Sequence, residues 1–91
     1  MYRISESSSY RRSFKKVKRH KDFQIERLND VINTLASGSK LDQRYRDHAL
    51  SGDLKGAREC HVQNDILLIY EIVENKLTLF LVDIGSHSEL F

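Results

Sequence analysis

Two long apolar segments separated by only three residues limit most strongly what this chain can fold into. Residues 65–73 (DILLIYEIV) and 77–84 (LTLFLVDI) are rich in β-branched and aromatic side chains, which is typical of β-strands. The ENK turn between them is too short for a crossover, so the two strands must pair antiparallel. Residues 65–73 are apolar on both faces, as expected of a central strand. Residues 57–62 complete a predicted antiparallel meander of three strands.

The N-terminal part has the pattern of an edge strand followed by a basic helix. Residues 2–5 are predicted to form the strand, and the serine run at 7–9 supplies N-cap chemistry. Tyr10, Phe14 and Val17 then recur at helical spacing.

A second amphipathic helix is predicted between Asp22 as N-cap and Gly38 as left-handed C-cap. Its apolar stripe consists of Phe23, Leu28, Val31, Ile32 and Leu35. Residues 39–54 lack a long periodic run and are predicted to be a loop. The fold class is therefore α+β, a helix hairpin packed on one face of a small antiparallel sheet. At 91 residues, the chain is expected to be a single domain, 1–91.

Charge is unevenly distributed along the chain. Residues 1–21 hold eight Lys and Arg against one Glu, a balance of +7, whereas residues 22–91 have a balance of −5. A basic segment of this kind suits phosphate backbones or an acidic protein partner, and the alternative is a solvated helix face. Its central cations are Lys15, Lys16, Lys18 and Arg19. A single Cys60 and the lack of a long apolar run predict a reduced, cytoplasmic setting with no membrane segment.

Three of the four histidines lie in or beside the predicted sheet. His48 precedes the first strand of the meander, His61 lies in it, and His87 follows the last strand. Asp65 opens the middle strand, and the hairpin places it at the same end of the sheet as His61. Residues of these types can transfer protons near neutral pH or bind a metal ion. They can also be separate surface side chains, and spacing alone does not decide among the three.

Several ordered blocks in the second half of the chain resemble one known family. The blocks are YRDHALSG at 45–52, KGARECHV at 55–62, DILLIY at 65–70 and GSHSELF at 85–91. Together they resemble the YafQ branch of the RelE/ParE toxin superfamily. The resemblance implies a RelE-like microbial RNase fold and ribosome-dependent cleavage of mRNA in the A site, without a metal or other cofactor. It also implies a DinJ- or RelB-like antitoxin, dimeric and DNA-binding, and contact with 16S rRNA.

The same resemblance implies which residues act. By motif, His48, His61, Asp65 and His87 match catalytic positions, and Phe91 matches a position that stacks on an RNA base. His61 and His87 are expected to move protons, Asp65 to orient a histidine, and His48 to contact phosphate or serve as the alternate acid or base.

The chain departs from the family pattern at one position. Relatives commonly carry Arg four residues before the last His, and this chain has Asp83 there. Losing that cation weakens stabilisation of phosphate charge, so Arg58, Arg46 or Arg44 is expected to substitute, or the toxin is attenuated. Arg58 and Arg46 are predicted to bind RNA, together with the basic cluster at residues 15–19.

Three other functions are possible for this chain. A ParE-type toxin binds DNA gyrase and cleaves no RNA, but it has no need of three titrating histidines. An inactive member that only binds its antitoxin is supported by Asp83 alone. A metal-dependent hydrolase ranks last, because the compact spacing of many metal sites is missing.

Overall fold

The computed structural model describes all residues, 1–91, and contains five strands and three α-helices. The strands are β1 (Arg3–Glu6), β2 (His48–Ala49), β3 (Arg58–Gln63), β4 (Ile66–Val73) and β5 (Thr78–Gly85). The helices are α1 (Ser8–Val17), α2 (Ile25–Ala36) and α3 (His87–Leu90). Short 3-10 turns occupy Gln43–Tyr45, Gly52–Leu54 and Glu74–Lys76. The α+β class and the helix hairpin are confirmed.

The five strands form one sheet in the order β1-β5-β4-β3-β2. The predicted meander of β3, β4 and β5 is antiparallel throughout, and β2 adds to it antiparallel. The edge strand β1 instead runs parallel to β5, so the complete sheet is mixed. No short connection joins β1 to β5, because they lie at opposite ends of the chain. Their relative direction could therefore not be read from turn length.

Helices α1 and α2 cover one face of the sheet and form a single core with it. The helices contribute Tyr10, Val17, Leu28, Val31 and Leu35, all buried. The sheet contributes side chains such as Cys60, Val62, Leu68, Tyr70, Leu79 and Leu81. Because side chains alternate along a strand, Glu59 and His61 project to the opposite face from Cys60 and Val62. That face, which α1 and α2 leave open, carries the candidate site.

The two helices begin and end partly as predicted. Ser7 caps α1, because its Oγ accepts a hydrogen bond from the Tyr10 N–H at 2.9 Å. The prediction that Asp22 caps α2 was wrong: the cap position is Gln24, whose N–H donates to Gln63 Oε1 at 2.9 Å. A side chain from β3 therefore anchors the start of α2. Gly38 has φ of 83° after α2, which confirms the predicted left-handed C-cap.

None of the helices combines the length and apolar character that a bilayer crossing requires. The predicted loop 39–54 is less irregular than expected, since it holds β2 and two 3-10 turns. Its Tyr45 is buried in the core and fixes this segment against the sheet.

Candidate active site on the open sheet face

Strand register brings distant polar residues into neighbouring rows on the open face. His48 pairs with Glu59, Glu59 with Ile69, and Ile69 with Asp83, which makes one row across four strands. In the next row, His61 pairs with Leu67 and Leu67 with Gly85. Residues opposite one another in such a ladder share a face. His48, His61 and the chain just before His87 therefore meet at one end of the sheet.

Glu59 lies between two of the histidines. Its Oε1 is 3.5 Å from His48 Nε2 and 3.9 Å from His61 Nε2, and the residue is only 5% exposed. His48 Nδ1 lies 2.8 Å from the Arg46 carbonyl oxygen, so this nitrogen carries the proton and donates it. A protonated His48 thus has an acceptor for each of its two N–H groups. Glu59 and the Arg46 carbonyl therefore fix the orientation of the His48 ring.

Glu59 was missed as a site residue, although the sequence contained a signal for it. Glu59 and His61 are two polar side chains two positions apart in β3, and they alternate with the apolar Cys60 and Val62, so they share a face. Their partner His48 was harder to assign, because β2 has only two residues and no pattern of its own.

His87 and Phe91 are placed by the short helix α3. Ser86 and Glu89 form a capping box, in which the Ser86 N–H donates to Glu89 Oε1 at 2.9 Å. These hydrogen bonds from Ser86 hold the pKa of the Glu89 carboxyl below its usual value, with smaller help from Lys16 and His20. The Phe91 ring lies 5.2 Å from the His87 ring, centroid to centroid, and is 56% exposed. Phe91 therefore offers an open aromatic surface beside a histidine.

Asp65 is at the tip of the β3–β4 hairpin and is exposed. It forms no ion pair with any histidine; the carboxylate beside His48 and His61 is that of Glu59. Proximity along the chain suggested the pairing of Asp65 with His61. The two-residue turn leaves Asp65 beyond the paired ends of the strands instead, where it lines a polar cavity with Asp22 and Arg27.

Arg58 faces away from the histidines. It pairs in register with Tyr70, whose side chain is in the core, so both project to the helix-covered face. Arg58 Nε donates to Asp47 Oδ1 at 3.2 Å, and the Tyr70 hydroxyl donates to the same oxygen at 2.7 Å. Burial and this bond to Asp47 raise the pKa of Tyr70. The structure thus ties Arg58 to the anchoring of residues 46–48, and it does not replace the family Arg across the sheet from Glu59.

The other predicted cations are exposed. Arg46 and Arg44 lie beside His61 and help line a small cavity with it. Lys15, Lys16, Lys18 and Arg19 are exposed on α1 and the turn after it. Lys16 lines a shallow cavity with Glu89, so the basic segment reaches the helix that bears His87.

Asp83 lies on β5, at the opposite end from His48 of the row that contains Glu59. Asp83 lies at an irregularity in the β4–β5 ladder, and its Oδ1 accepts a hydrogen bond from the Ile84 N–H at 2.9 Å. Ile69 separates it from Glu59 in the row. No three His, Cys, Asp or Glu side chains are grouped closely enough to hold a metal ion together.

Comparison with known proteins identifies the family. The sequence matches, over residues 2–91, the family described as "Bacterial toxin of type II toxin-antitoxin system, YafQ". A relative from Escherichia coli K12, named mRNA interferase toxin YafQ, is 36% identical over 75 residues, which are 81% of this chain and 77% of that protein. A relative named YafQ in Haemophilus influenzae is 48% identical over 43 residues, a match that spans 47% of this chain and only 42% of that protein.

Solved structures agree with this assignment. A metal-bound toxin from Helicobacter pylori superposes with a TM-score of 0.91 at 42% identity, and the match covers 100% of both chains. A chain of the E. coli DinJ–YafQ complex superposes with a TM-score of 0.85 at 32% identity, covering 100% of this chain and 99% of that one. The resemblance read from the second half of the sequence is thereby confirmed. The chain belongs to the YafQ family of toxins from bacterial type II toxin–antitoxin systems.

Proposed function

We propose that this toxin is an mRNA endoribonuclease that cleaves message in the A site of the translating ribosome without a metal ion. The observation that carries the proposal is the convergence of His48, Glu59 and His61 on one open sheet face, next to the helix that bears His87. The name of the E. coli relative, mRNA interferase, supports the same activity. A gyrase-binding toxin has no use for several proton-transfer groups gathered in one place.

The chemistry needs only groups that move protons and hold charge. A base takes the proton of the RNA 2′-hydroxyl, the 2′-oxygen bonds to the adjacent phosphorus, and the bond from phosphorus to the 5′-oxygen breaks. An acid gives a proton to the departing 5′-oxygen. The products are a 2′,3′-cyclic phosphate and a 5′-hydroxyl end. Because the nucleophile belongs to the RNA, alignment and proton transfer supply most of the catalysis.

The proposed roles follow the positions of the side chains. His61 and His87 act as base and acid, and Glu59 takes the orienting role that the sequence suggested for Asp65. His48, held in place by Glu59 and the Arg46 carbonyl, contacts the phosphate. The exposed ring of Phe91 stacks on a base next to the cut. Asp65, at the tip of the β3–β4 hairpin, lies at the edge of the site and takes no part in orienting a histidine.

Asp83 makes this toxin slower than relatives with Arg at the same position. Removing one well-placed donor from a developing negative charge costs about 3 kcal/mol, or roughly a hundredfold in rate. Arg44 and Arg46 lie beside His61, on the side of Glu59 away from Asp83, and supply part of the positive charge that the missing Arg would provide. The toxin is therefore proposed to be active but attenuated.

The proposed partners are a DinJ-like antitoxin and the ribosome. DinJ occurs with the E. coli YafQ chain in a solved complex with this fold. The exposed cations at residues 15–19 form the surface that binds 16S rRNA in the cytoplasm. Binding weakens as the salt concentration rises, because it releases counterions from the RNA. Replacing Lys15, Lys16, Lys18 and Arg19 by Gln should weaken ribosome binding at low salt. Unchanged ribosome affinity would exclude this surface.

The test of the activity is induction in a bacterial host with mapping of mRNA 5′ ends. Wild type is compared with His87→Ala and with His20→Ala, in which the fourth histidine, exposed in the turn after α1, is removed instead. Wild type and His20→Ala should arrest growth and produce in-frame cuts, and His87→Ala should do neither. Growth arrest with intact mRNA would refute the nuclease and favour the gyrase-type function. Absence of both arrest and cuts in wild type would favour a member that only binds its antitoxin.

A further inference from the structure

A small cavity beside His61 is lined by three arginines and no carboxylate. Its volume is about 160 Å³, and its lining is Arg27, Arg44, Arg46, His61, Gln63 and Asn64. The lining therefore contains three positive charges and no negative charge. The cavity adjoins the proposed active site, because His61 contacts Glu59 on the open face.

The three arginines come from two segments that the fold brings together at the edge of β3. Arg27 is in the first turn of α2, whereas Arg44 and Arg46 belong to the 3-10 turn before β2 and its cap. Because β2 pairs only with Arg58 and Glu59, the rest of the β3 edge is free to face that turn. None of the three was placed by a periodic pattern, since the cluster exists only in the folded chain.

The walls of the cavity are anchored. The Arg44 guanidinium donates to the Tyr45 hydroxyl at 3.0 Å, and Tyr45 is buried in the core. Arg46 has φ of 52°, a left-handed conformation that turns the chain toward β2. On the other side, the Gln63 amide bonds both to the Gln24 N–H and to the Asp22 carbonyl, at 2.9 and 3.0 Å. These contacts hold the start of α2 against the end of β3.

No carboxylate neutralises the positive charge in this cavity, although the Arg44 guanidinium lies over the Tyr45 ring, 4.9 Å from its centroid. The chain has three ion pairs, which are His48–Glu59, His61–Glu59 and Arg58–Asp47, and none includes Arg27, Arg44 or Arg46. Asp22 and Asp65 line a neighbouring cavity that shares Arg27, Gln63 and Asn64 with this one, but no ion pair joins either carboxylate to Arg27. Like charges held together repel one another, and an anion placed among them removes that cost. The N-terminal end of α2 adds attraction for an anion.

We infer that Arg27, Arg44 and Arg46 form a binding site for a backbone phosphate of the RNA, next to the phosphate that is cut. This inference rests on the proposed nuclease function and adds the site that aligns its substrate. Guanidinium groups match phosphate oxygens with paired hydrogen bonds, and a concave site with several such groups suits a phosphate better than a flat surface does. The site also supplies positive charge from the β2 side of the sheet, whereas the β5 side has Asp83 where relatives carry Arg.

The test compares two triple variants with the same change in charge. In the pocket variant Arg27, Arg44 and Arg46 become Gln; in the control, the exposed Arg3, Arg11 and Arg12 become Gln. The probe is a short single-stranded RNA with 2′-O-methyl groups, which cannot be cut. Binding is followed by NMR of the His61 ring and the arginine Nε–H groups, at several salt concentrations.

The pocket variant should bind the RNA at least about tenfold more weakly, because hydrogen bonds to a charged group are lost. The salt dependence of log K should become shallower by about 0.7 for the one phosphate contact removed. The control should lose far less affinity and keep the His61 shifts. Equal losses in both variants would overturn the inference. So would a glutamate-rich peptide that binds the cavity when RNA does not, since the occupant would then be an acidic protein segment.

The outcome is separable from the test of the nuclease. If wild type cuts message and the pocket variant binds RNA as well as the control does, the phosphate site is wrong and the nuclease stands. If wild type cuts nothing but RNA binds at the three arginines, the nuclease is wrong and the binding site stands. Thermal unfolding of both variants checks folding, and the single changes Arg27→Gln and Arg44→Gln replace the triple variant if it does not fold.

Discussion

Removing the hydroxyl group of Tyr70 tests how firmly the segment carrying His48 is held. This hydroxyl donates to Asp47 Oδ1 at 2.7 Å, and Tyr70 is only 1% exposed. A buried hydrogen bond to a charged group contributes about 1.5–3 kcal/mol. Because the Asp47 side chain is 23% exposed, water replaces part of the lost bond. We therefore expect Tyr70→Phe to lower the free energy of unfolding by about 2 kcal/mol.

The chain offers a matched control for this substitution. The Tyr2 hydroxyl donates to Glu74 Oε1 at 2.6 Å, which is the same pair of groups in an exposed setting. Tyr2→Phe should change the free energy of unfolding by no more than about 0.5 kcal/mol. A difference of 2 kcal/mol corresponds to about 8–16 °C in Tm for a domain of this size. Urea titrations and calorimetry of both variants measure the two effects.

A particular result would refute this reasoning. If Tyr2→Phe and Tyr70→Phe destabilise the protein equally, burial of the bond to Asp47 is not what gives it strength. A loss below about 0.5 kcal/mol for Tyr70→Phe would have the same meaning. Asp47 lies between Arg46 and His48 in the chain, so the Tyr70 variant should also cleave RNA more slowly at temperatures well below its Tm.

Three further predictions follow from other parts of the structure. Burial raises the pKa of the Cys60 thiol from 9.0 to about 12, so the native protein should resist iodoacetamide at pH 9 and react only when it is unfolded. The contribution of the neutral thiol to the free energy of unfolding is full below pH 9 and is lost as the pH rises through about 12. Ser7→Ala should cost about 1–2 kcal/mol by urea titration, because Ser7 caps α1 through the Tyr10 N–H and donates to the Val82 carbonyl. Asp83→Arg should raise the single-turnover cleavage rate by about tenfold or more, and a slower variant would contradict the proposed attenuation.

The part of the fold that could be predicted from sequence is the part governed by short connections. The three-residue turn between β4 and β5 is compatible only with antiparallel pairing. Helical spacing identified the core faces of α1 and α2. The direction of β1 depends on contacts between the two ends of the chain. The start of α2 shifted from Asp22 to Gln24 because Gln63 of β3 supplies the competing hydrogen bonds. Both features depend on tertiary structure, which local patterns do not contain.

The candidate site also contains residues that sequence motifs predict and residues that only the fold brings together. His48, His61, His87 and Phe91 were predicted by motif, and strand register explains why His48 and His61 lie in neighbouring rows of one face. The carboxylate beside His48 and His61 is that of Glu59 and not that of Asp65, since nearness along a hairpin does not mean contact across the sheet. The three arginines at His61 come from two segments and have no common pattern in the sequence. Only folding brings them together.

The proposed mechanism requires these histidines to act on a phosphate that is attacked by the RNA's own 2′-hydroxyl. The direct measurement replaces that hydroxyl by hydrogen at the one nucleotide where a ribosome-bound message is cut. We expect cleavage at that position to stop while an unmodified message, in the same reaction, yields a 2′,3′-cyclic phosphate and a 5′-hydroxyl end. Continued cutting at the deoxy position would contradict the mechanism, because a water or protein nucleophile would then be at work.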